Sequence, residues 1–211
     1  MVACLSLKNI TIERNEQRLF HALTLQCSSG QAWQIIGPNG SGKSSLLKVL
    51  SGLSKPRRGL LQWQQQNTVI SQAWLRQHAL YLRHELCLKM QLTVRENLRL
   101  FAALQEAPLL AKDRLEHCLQ DFDLTPLADR LVFNLSAGQQ RRVNLAKLGL
   151  SNAKVWLLDE PFTALDQTQC LKLSHRLENF VAEQGLVIFT SHQALHFSRL
   201  SSEACYLEPL T

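Results

Sequence analysis

Apolar residues follow two different spacings along this chain, and the switch between them marks its organisation. Val2 to Thr11 alternates in part, and Leu19 to Cys27 reads as a second strand. Ala32-Trp33-Gln34-Ile35-Ile36 is a third, running straight into a glycine-rich turn. The pattern then predicts a helix from Lys43 to Ser51, stopped at Gly52. Pro56 and Gly59 mark a turn, Leu60-Leu61-Gln62-Trp63 a strand, the glutamine-rich Gln62 to Gln66 a polar turn, and Ala79-Leu80-Tyr81-Leu82 another strand. From about Thr93 to Gly149 the spacing becomes helical: Leu98, Phe101 and Ala102, then Leu115, Cys118, Leu119 and Phe122, then Val143, Leu145, Ala146 and Leu148. Strand signals return at Val155 to Leu158 and at Leu186 to Phe189, with a helix from about Thr168 to Ala182 between them. Strands alternating with helices predict an α/β fold with a parallel-sheet core, here over 1–84 and 151–211. A helical subdomain over about 85–150 interrupts that core within a single 1–211 domain.

Composition narrows the partners only slightly. At 211 residues the chain buries enough surface to fold without staples. Hydrophobic residues are 45% and charged residues 19%, which excludes a disordered or collagen-like chain. The apolar runs are far shorter than the roughly 20 residues a membrane span needs. Lys plus Arg number 23 against 17 Asp plus Glu, a net +6 that suits phosphates, nucleic acid or an acidic membrane face equally. The six cysteines are irregularly spaced and form no C-x-x-C pair, so reduced, mostly buried thiols in the cytosol are expected, and no secretory leader is evident.

The chemistry enters with Gly37-Pro38-Asn39-Gly40-Ser41-Gly42-Lys43-Ser44, followed by Ser45, which fits G-x-x-x-x-G-K-[ST]. Glycines let the backbone curl so that successive N–H groups face anionic oxygens. The helix N-terminus adds partial positive charge. Lys43 is placed to reach the β- and γ-phosphates of ATP, and Ser44 to ligate Mg²⁺. Val155-Trp156-Leu157-Leu158 ends in Asp159-Glu160. An acid pair at the C-terminal end of a core strand faces the ligand crevice of a parallel sheet. Asp159 can hold Mg²⁺ there, and Glu160 can polarise a water beside the γ-phosphate.

Between these two motifs lies Leu135-Ser136-Ala137-Gly138-Gln139. Read alone it is a helix cap. In this position it resembles the signature sequence of ABC-type ATPases. Asp159-Glu160-Pro161 and Ala164-Leu165-Asp166 are similar to that family's metal-and-base strand and D-loop, and Thr190-Ser191-His192 to its switch histidine. The resemblance covers essentially the whole chain. It implies a P-loop NTPase of the ABC-ATPase fold, with a RecA-like parallel core, an N-terminal antiparallel β part and an inserted helical subdomain. It also implies a head-to-tail homodimer, in which each ATP lies between the phosphate loop of one chain and Ser136, Ala137, Gly138 and Gln139 of the other. Glu160, His192 and Lys43 would be catalytic. The His192–His196 spacing, by itself, would also suit a metal pair on a helix.

Two positions depart from the family pattern. Where most relatives have glutamine ahead of Val94-Arg95-Glu96-Asn97, this chain has His84, a residue type that changes charge near neutral pH. The family's aromatic adenine contact falls near Arg14, with Phe20 the nearest ring. An Arg guanidinium can stack on a base. Tyr81-Leu82-Arg83-His84, Leu92-Thr93-Val94-Arg95-Glu96-Asn97-Leu98 and Leu135 to Arg142 together look like the ATP-binding subunits of cytochrome c maturation haem exporters. That likeness implies membrane partners corresponding to CcmB, CcmC and CcmD, and release of the haem-loaded chaperone CcmE. It also implies a peripheral location on the cytoplasmic face of the bacterial inner membrane. No haem motif occurs, so this chain itself is not expected to bind haem, nor nucleic acid. The alternatives are the energy subunit of another small ABC exporter and a non-transport ABC ATPase acting on nucleic acid. For the latter, Arg141-Arg142 could form a basic patch, although the pair also suits the solvated face of a helix.

Overall fold

A computed structural model describes residues 3–14, 17–65, 68–70, 78–105, 112–192 and 202–208. The elements run β1 (Ala3–Thr11), β2 (Glu13–Arg14), β3 (Gln17–Arg18), β4 (Leu23–Ser28), β5 (Ala32–Ile36), α1 (Lys43–Leu50), β6 (Arg58–Gln65), β7 (Thr68–Ile70) and β8 (Ala79–Leu82). There follow α2 (Val94–Leu104), α3 (Lys112–Asp121), α4 (Ala137–Leu150), β9 (Val155–Leu158), α5 (Gln167–Ala182), β10 (Leu186–Ser191) and β11 (Ser202–Tyr206). The chain forms two compact units. The first comprises Met1–Tyr81, Ala153–Pro161 and Leu171–Thr211; the second comprises Leu82–Asn152 and Phe162–Cys170.

Among the described residues, the first unit has two larger sheets and the short antiparallel pair β2-β3. An antiparallel sheet has the order β4-β1-β6-β7, and a five-stranded sheet the order β11-β5-β10-β9-β8. In the second, β10 pairs in parallel with β5 on one side and β9 on the other, and β11 pairs in parallel with β5. Strands β5 and β9 are buried at every residue, as expected where both faces of a parallel sheet are covered. The core joins Leu5, Leu7 and Ile10 of β1 and Trp63 of β6 to Leu46, Leu47 and Leu50 of α1. Ile35, Leu157 and Ile188 of the parallel sheet complete it. Each such buried side chain contributes roughly 1.5–3 kcal/mol of hydrophobic transfer. On β9, Trp156 stacks on Phe180 of α5 with ring centroids 3.6 Å apart.

Three expectations change here. The polar turn expected at Gln62 to Gln66 is strand as far as Gln65, because Gln62 and Gln64 pair with Ser6 and Cys4 of β1. The strand expected from Leu19 to Cys27 is split: Phe20 forms only an isolated bridge, and β4 starts at Leu23. Strand β11 was not anticipated. Its Ser-Glu-Ala-Cys-Tyr sequence has little apolar pattern, and it forms at a sheet edge by pairing with β5.

In the second unit α4 packs against both α2 and α3. Thr93 caps α2 with a reciprocal box: its hydroxyl accepts the Glu96 N–H, and the Glu96 carboxylate accepts the Thr93 N–H. Such a cap stabilises a helix by about 1 kcal/mol. Asn97 of α2, almost fully buried, exchanges two hydrogen bonds with the backbone of Lys89 and so fixes the loop ahead of its own helix.

All six cysteines are free thiols. Burial pushes the Cys27 thiol far above its ordinary value of 9.0, with Cys205, Cys4 and Glu203 adding to the effect. Folded Cys27 therefore keeps its proton where an unfolded chain would lose it. The stability this provides is complete below about pH 9 and is lost as the pH rises further. Lys147, pushed down by burial, has the opposite sign. The difference between two proteins isolates the thiol. Melting temperatures between about pH 8 and pH 10.5 should fall less steeply for Cys27→Ala than for the unaltered protein. Parallel curves would contradict the assignment.

Candidate active site

The glycine-rich loop leaves β5 at Ile36 and enters α1 at Lys43. Gly42 caps that helix with φ 95° and no side-chain bond, a left-handed conformation that glycine adopts without strain. A Cβ there would lie 3.0 Å from Leu19 and from the Phe20 ring. The Lys43 ammonium is turned back along the loop and donates to the carbonyls of Gly37 at 2.7 Å and Pro38 at 3.0 Å. Only 5% of Lys43 is exposed. Among the described residues, the buried Ser41 hydroxyl of the loop has no hydrogen-bond partner. A buried cation held by two carbonyls, a buried hydroxyl without a partner among the described residues and a helix N-terminus that no side chain caps together fit a polyphosphate.

Sheet order sets the rest. Strand β10 lies between β5 and β9, so three parallel strands finish at the same edge. From β5 comes the phosphate loop, from β9 the pair Asp159-Glu160, and from β10 the segment Thr190-Ser191-His192. Asp159 is 3% exposed. Glu160 turns out of the strand with φ 50°. Its carboxylate meets His192 Nε2 at 2.9 Å. A cavity of about 170 Å³ is lined by Leu19, Asn39, Gly40, Gly42, Lys43, Ser44, Ser45 and Glu160. The loop and the proposed water-activating acid thus share one cavity, with the histidine bonded to that acid.

The second unit carries the remaining segments. Ser136 caps α4: its hydroxyl accepts the Gln139 N–H, and the Gln139 amide oxygen accepts the Ser136 N–H. Ser136 and Ala137 remain exposed. A Cβ on Gly138 would lie 3.1 Å from the Ala164 carbonyl, close enough that a side chain there would press on that backbone. Asp166 accepts the Gln169 N–H at 2.8 Å, at the start of α5. His84 is an exposed residue of this unit, and its carbonyl accepts a bond from Arg141.

Several readings are corrected. Phe20 is 1% exposed, packed beneath Gly42 in the core, and presents no ring face on which a base could stack. Its neighbour Leu19, which sequence reasoning passed over, lines the cavity instead. A half-buried apolar residue next to a phosphate loop carries no sequence signal that would single it out. Arg14 sits in β2, and its side chain lies outside the described residues, as does His196. Arg141-Arg142 is not a solvated face. Arg141 is 5% exposed, and Arg142 donates to the carbonyls of Phe122 and Asp123. Arg141 turns inward, and the half-buried Arg142 is engaged by backbone carbonyls, so the two do not form a free basic pair at the surface. Among the described residues no helix is long and apolar enough to cross a membrane.

Known proteins share the sequence and the fold of this chain. Residues 20–163 match the ABC transporter family model. The cytochrome c biogenesis ATP-binding export protein CcmA of Tatumella citrea is 40% identical over 90% of this chain and 89% of its own length. The protein of the same name from Haemophilus influenzae is 39% identical over 93% of this chain and 92% of its own. An ABC transporter ATP-binding protein from Pyrococcus furiosus superposes with a TM-score of 0.81 at 25% identity, over 95% of this chain and 96% of that one. The ATP-binding cassette MJ0796, a dimer in a post-hydrolysis state bound to ADP and Pi, superposes with a TM-score of 0.76 at 25% identity, over 90% and 88%. This chain belongs to the ABC transporter family, in the group of the cytochrome c biogenesis ATP-binding export proteins, and is an ATPase of the ABC-ATPase fold.

Proposed function

We propose that this chain is the ATP-hydrolysing subunit of a cytochrome c maturation exporter, attached to the cytoplasmic face of the bacterial inner membrane. The observation that carries the catalytic part is the shared cavity of Lys43, Ser44 and Glu160 at the common end of β5, β10 and β9. The loop from Gly37 to Ser45 binds the phosphates of ATP, and Lys43 leaves the carbonyls of Gly37 and Pro38 to meet the β- and γ-phosphates. Ser44 and Asp159 would hold Mg²⁺, which when bound neutralises phosphate charge. Glu160 orients the attacking water and accepts its proton, while His192 holds the Glu160 carboxylate and reaches the γ-phosphate.

The exposed Ser136 and Ala137, with Gly138 and Gln139, act on the ATP of a second copy in a head-to-tail homodimer. The helix N-terminus that they open suits a γ-phosphate. The dimeric form of the MJ0796 cassette supports pairing of two copies. Asp166 belongs to the loop between the two copies, and His84 takes the place of the family's glutamine. Release of the phosphate after hydrolysis removes the charge that holds the copies together, and their separation drives the membrane subunits. The CcmA relatives, named as export proteins of cytochrome c biogenesis, support a membrane export partner; in this reading the partners correspond to CcmB, CcmC and CcmD, and the stroke releases a haem-loaded chaperone. The burial of Arg141 and the backbone bonds of Arg142 weigh against a nucleic-acid partner at this pair.

Haem staining of c-type cytochromes tests this reading. Cells lacking the chain should lose the stained bands, regain them with the unaltered gene and fail to regain them with Lys43→Ala. Normal haem attachment without the chain would overturn the assignment to cytochrome c maturation.

A further inference from the structure

Strand β10 is apolar from Leu186 to Phe189 and then places a threonine, Thr190, in a fully buried position. Burying a hydroxyl costs free energy unless it is hydrogen-bonded. Here it is bonded twice. Its Oγ1 donates to Asp159 Oδ1 at 2.8 Å and accepts the backbone N–H of Glu160, also at 2.8 Å. The parallel ladder between β10 and β9 has its last registered pair at Phe189 and Leu158. One residue further on, a side chain takes over the backbone's role. The Glu160 N–H is satisfied by the Thr190 hydroxyl, which frees the Glu160 peptide from the ladder direction. Glu160 then turns to φ 50°, a conformation that costs a non-glycine residue about 1 kcal/mol or more. That turn directs its carboxylate to His192 and into the phosphate-loop cavity.

We propose that Thr190 is a positioning residue for ATP hydrolysis. One hydroxyl sets both strand-end acids, holding the Asp159 carboxylate on one side and the turned backbone of Glu160 on the other. The proposal rests on the reading of Glu160 as the residue that orients the attacking water. The phosphate loop belongs to β5 and makes no bond to Thr190, so nucleotide affinity and acid placement separate experimentally.

Thr190→Val keeps the branched, strand-favouring shape and removes both hydrogen bonds. Thr190→Ser keeps the hydroxyl. The expected result for Thr190→Val is a kcat lowered by about tenfold or more with KM for ATP within about twofold, since displaced catalytic groups cost rate rather than binding. Thr190→Ser should recover kcat to within about threefold. In a Glu160→Gln background Thr190→Val should lower the residual rate by clearly less than it does alone, because one of the two groups it positions is already disabled. If Thr190→Val does not fold, as judged by its melting curve, Thr190→Ala removes the same bonds without a new methyl contact and carries the same expectations. A hydroxyl-free variant with unchanged kcat, or one that raises KM in step with any fall in kcat, overturns the role of Thr190. So does a Thr190→Ser variant as impaired as Thr190→Val. Those results are told apart from failure of the underlying reading by the single variant Glu160→Gln. If that variant turns over normally, Glu160 is not the acid concerned and the proposal for Thr190 fails with it.

Discussion

Lys43→Ala is expected to lower ATP hydrolysis by about a hundredfold or more, the scale seen when a single preorganised group facing developing charge is removed. The magnitude follows from where the ammonium sits. Lys43 is 5% exposed and is held by two carbonyl oxygens of its own loop, at 2.7 and 3.0 Å. Carbonyls alone are weak compensation for a buried positive charge, so a polyphosphate entering the loop supplies a stronger partner at the same place. The variant loses that charge and the two bonds that draw the ends of the loop together. Nucleotide binding should therefore fall along with turnover, while the fold survives, because α1 is anchored by Leu46, Leu47, Val49 and Leu50 rather than by Lys43. Phosphate release and nucleotide binding, measured beside a melting curve, check this. Turnover within about twofold of the unaltered protein would refute the phosphate-loop assignment.

The parts of this site that were legible in the sequence are those where chemistry constrains neighbouring positions. Gly37 to Ser44 needs its glycines at fixed places to curl the backbone, and β9 needs four apolar residues before two acids. Those constraints are local, so they show in one sequence. The elements that escaped notice depend on distant partners. Strand β11 has the unremarkable sequence Ser-Glu-Ala-Cys-Tyr and exists because β5 offers it an edge. Gln62 and Gln64 look like turn residues, but pairing with β1 holds them in a strand. Phe20 is the aromatic nearest the expected adenine position at Arg14, yet it is packed against Gly42 in the core. Arg141 and Arg142 carry charge that reads as surface, and backbone carbonyls 57 and 20 residues away take it up. Thr190 follows the same rule. In sequence it is only the residue two before the histidine, and its two bonds become visible when β9 is laid beside β10.

Glu160→Gln is the second large effect, expected because an amide cannot accept the proton of the attacking water. Loss of a positioned general base lowers rate by about 10²–10⁴-fold. The phosphate loop is untouched by this change, so ATP should still bind. Glutamine is nearly isosteric and leaves the Glu160 N–H bond to Thr190 in place, since that bond is made by the backbone. With binding intact and hydrolysis blocked, the charge that joins two copies persists, and the closed dimer accumulates. One experiment reads both consequences: sedimentation of Glu160→Gln with Mg²⁺ and ATP, followed by assay of the same sample for released phosphate. The expected result is an ATP-dependent dimer with almost no phosphate formed; a monomer turning over ATP at the unaltered rate would contradict the account.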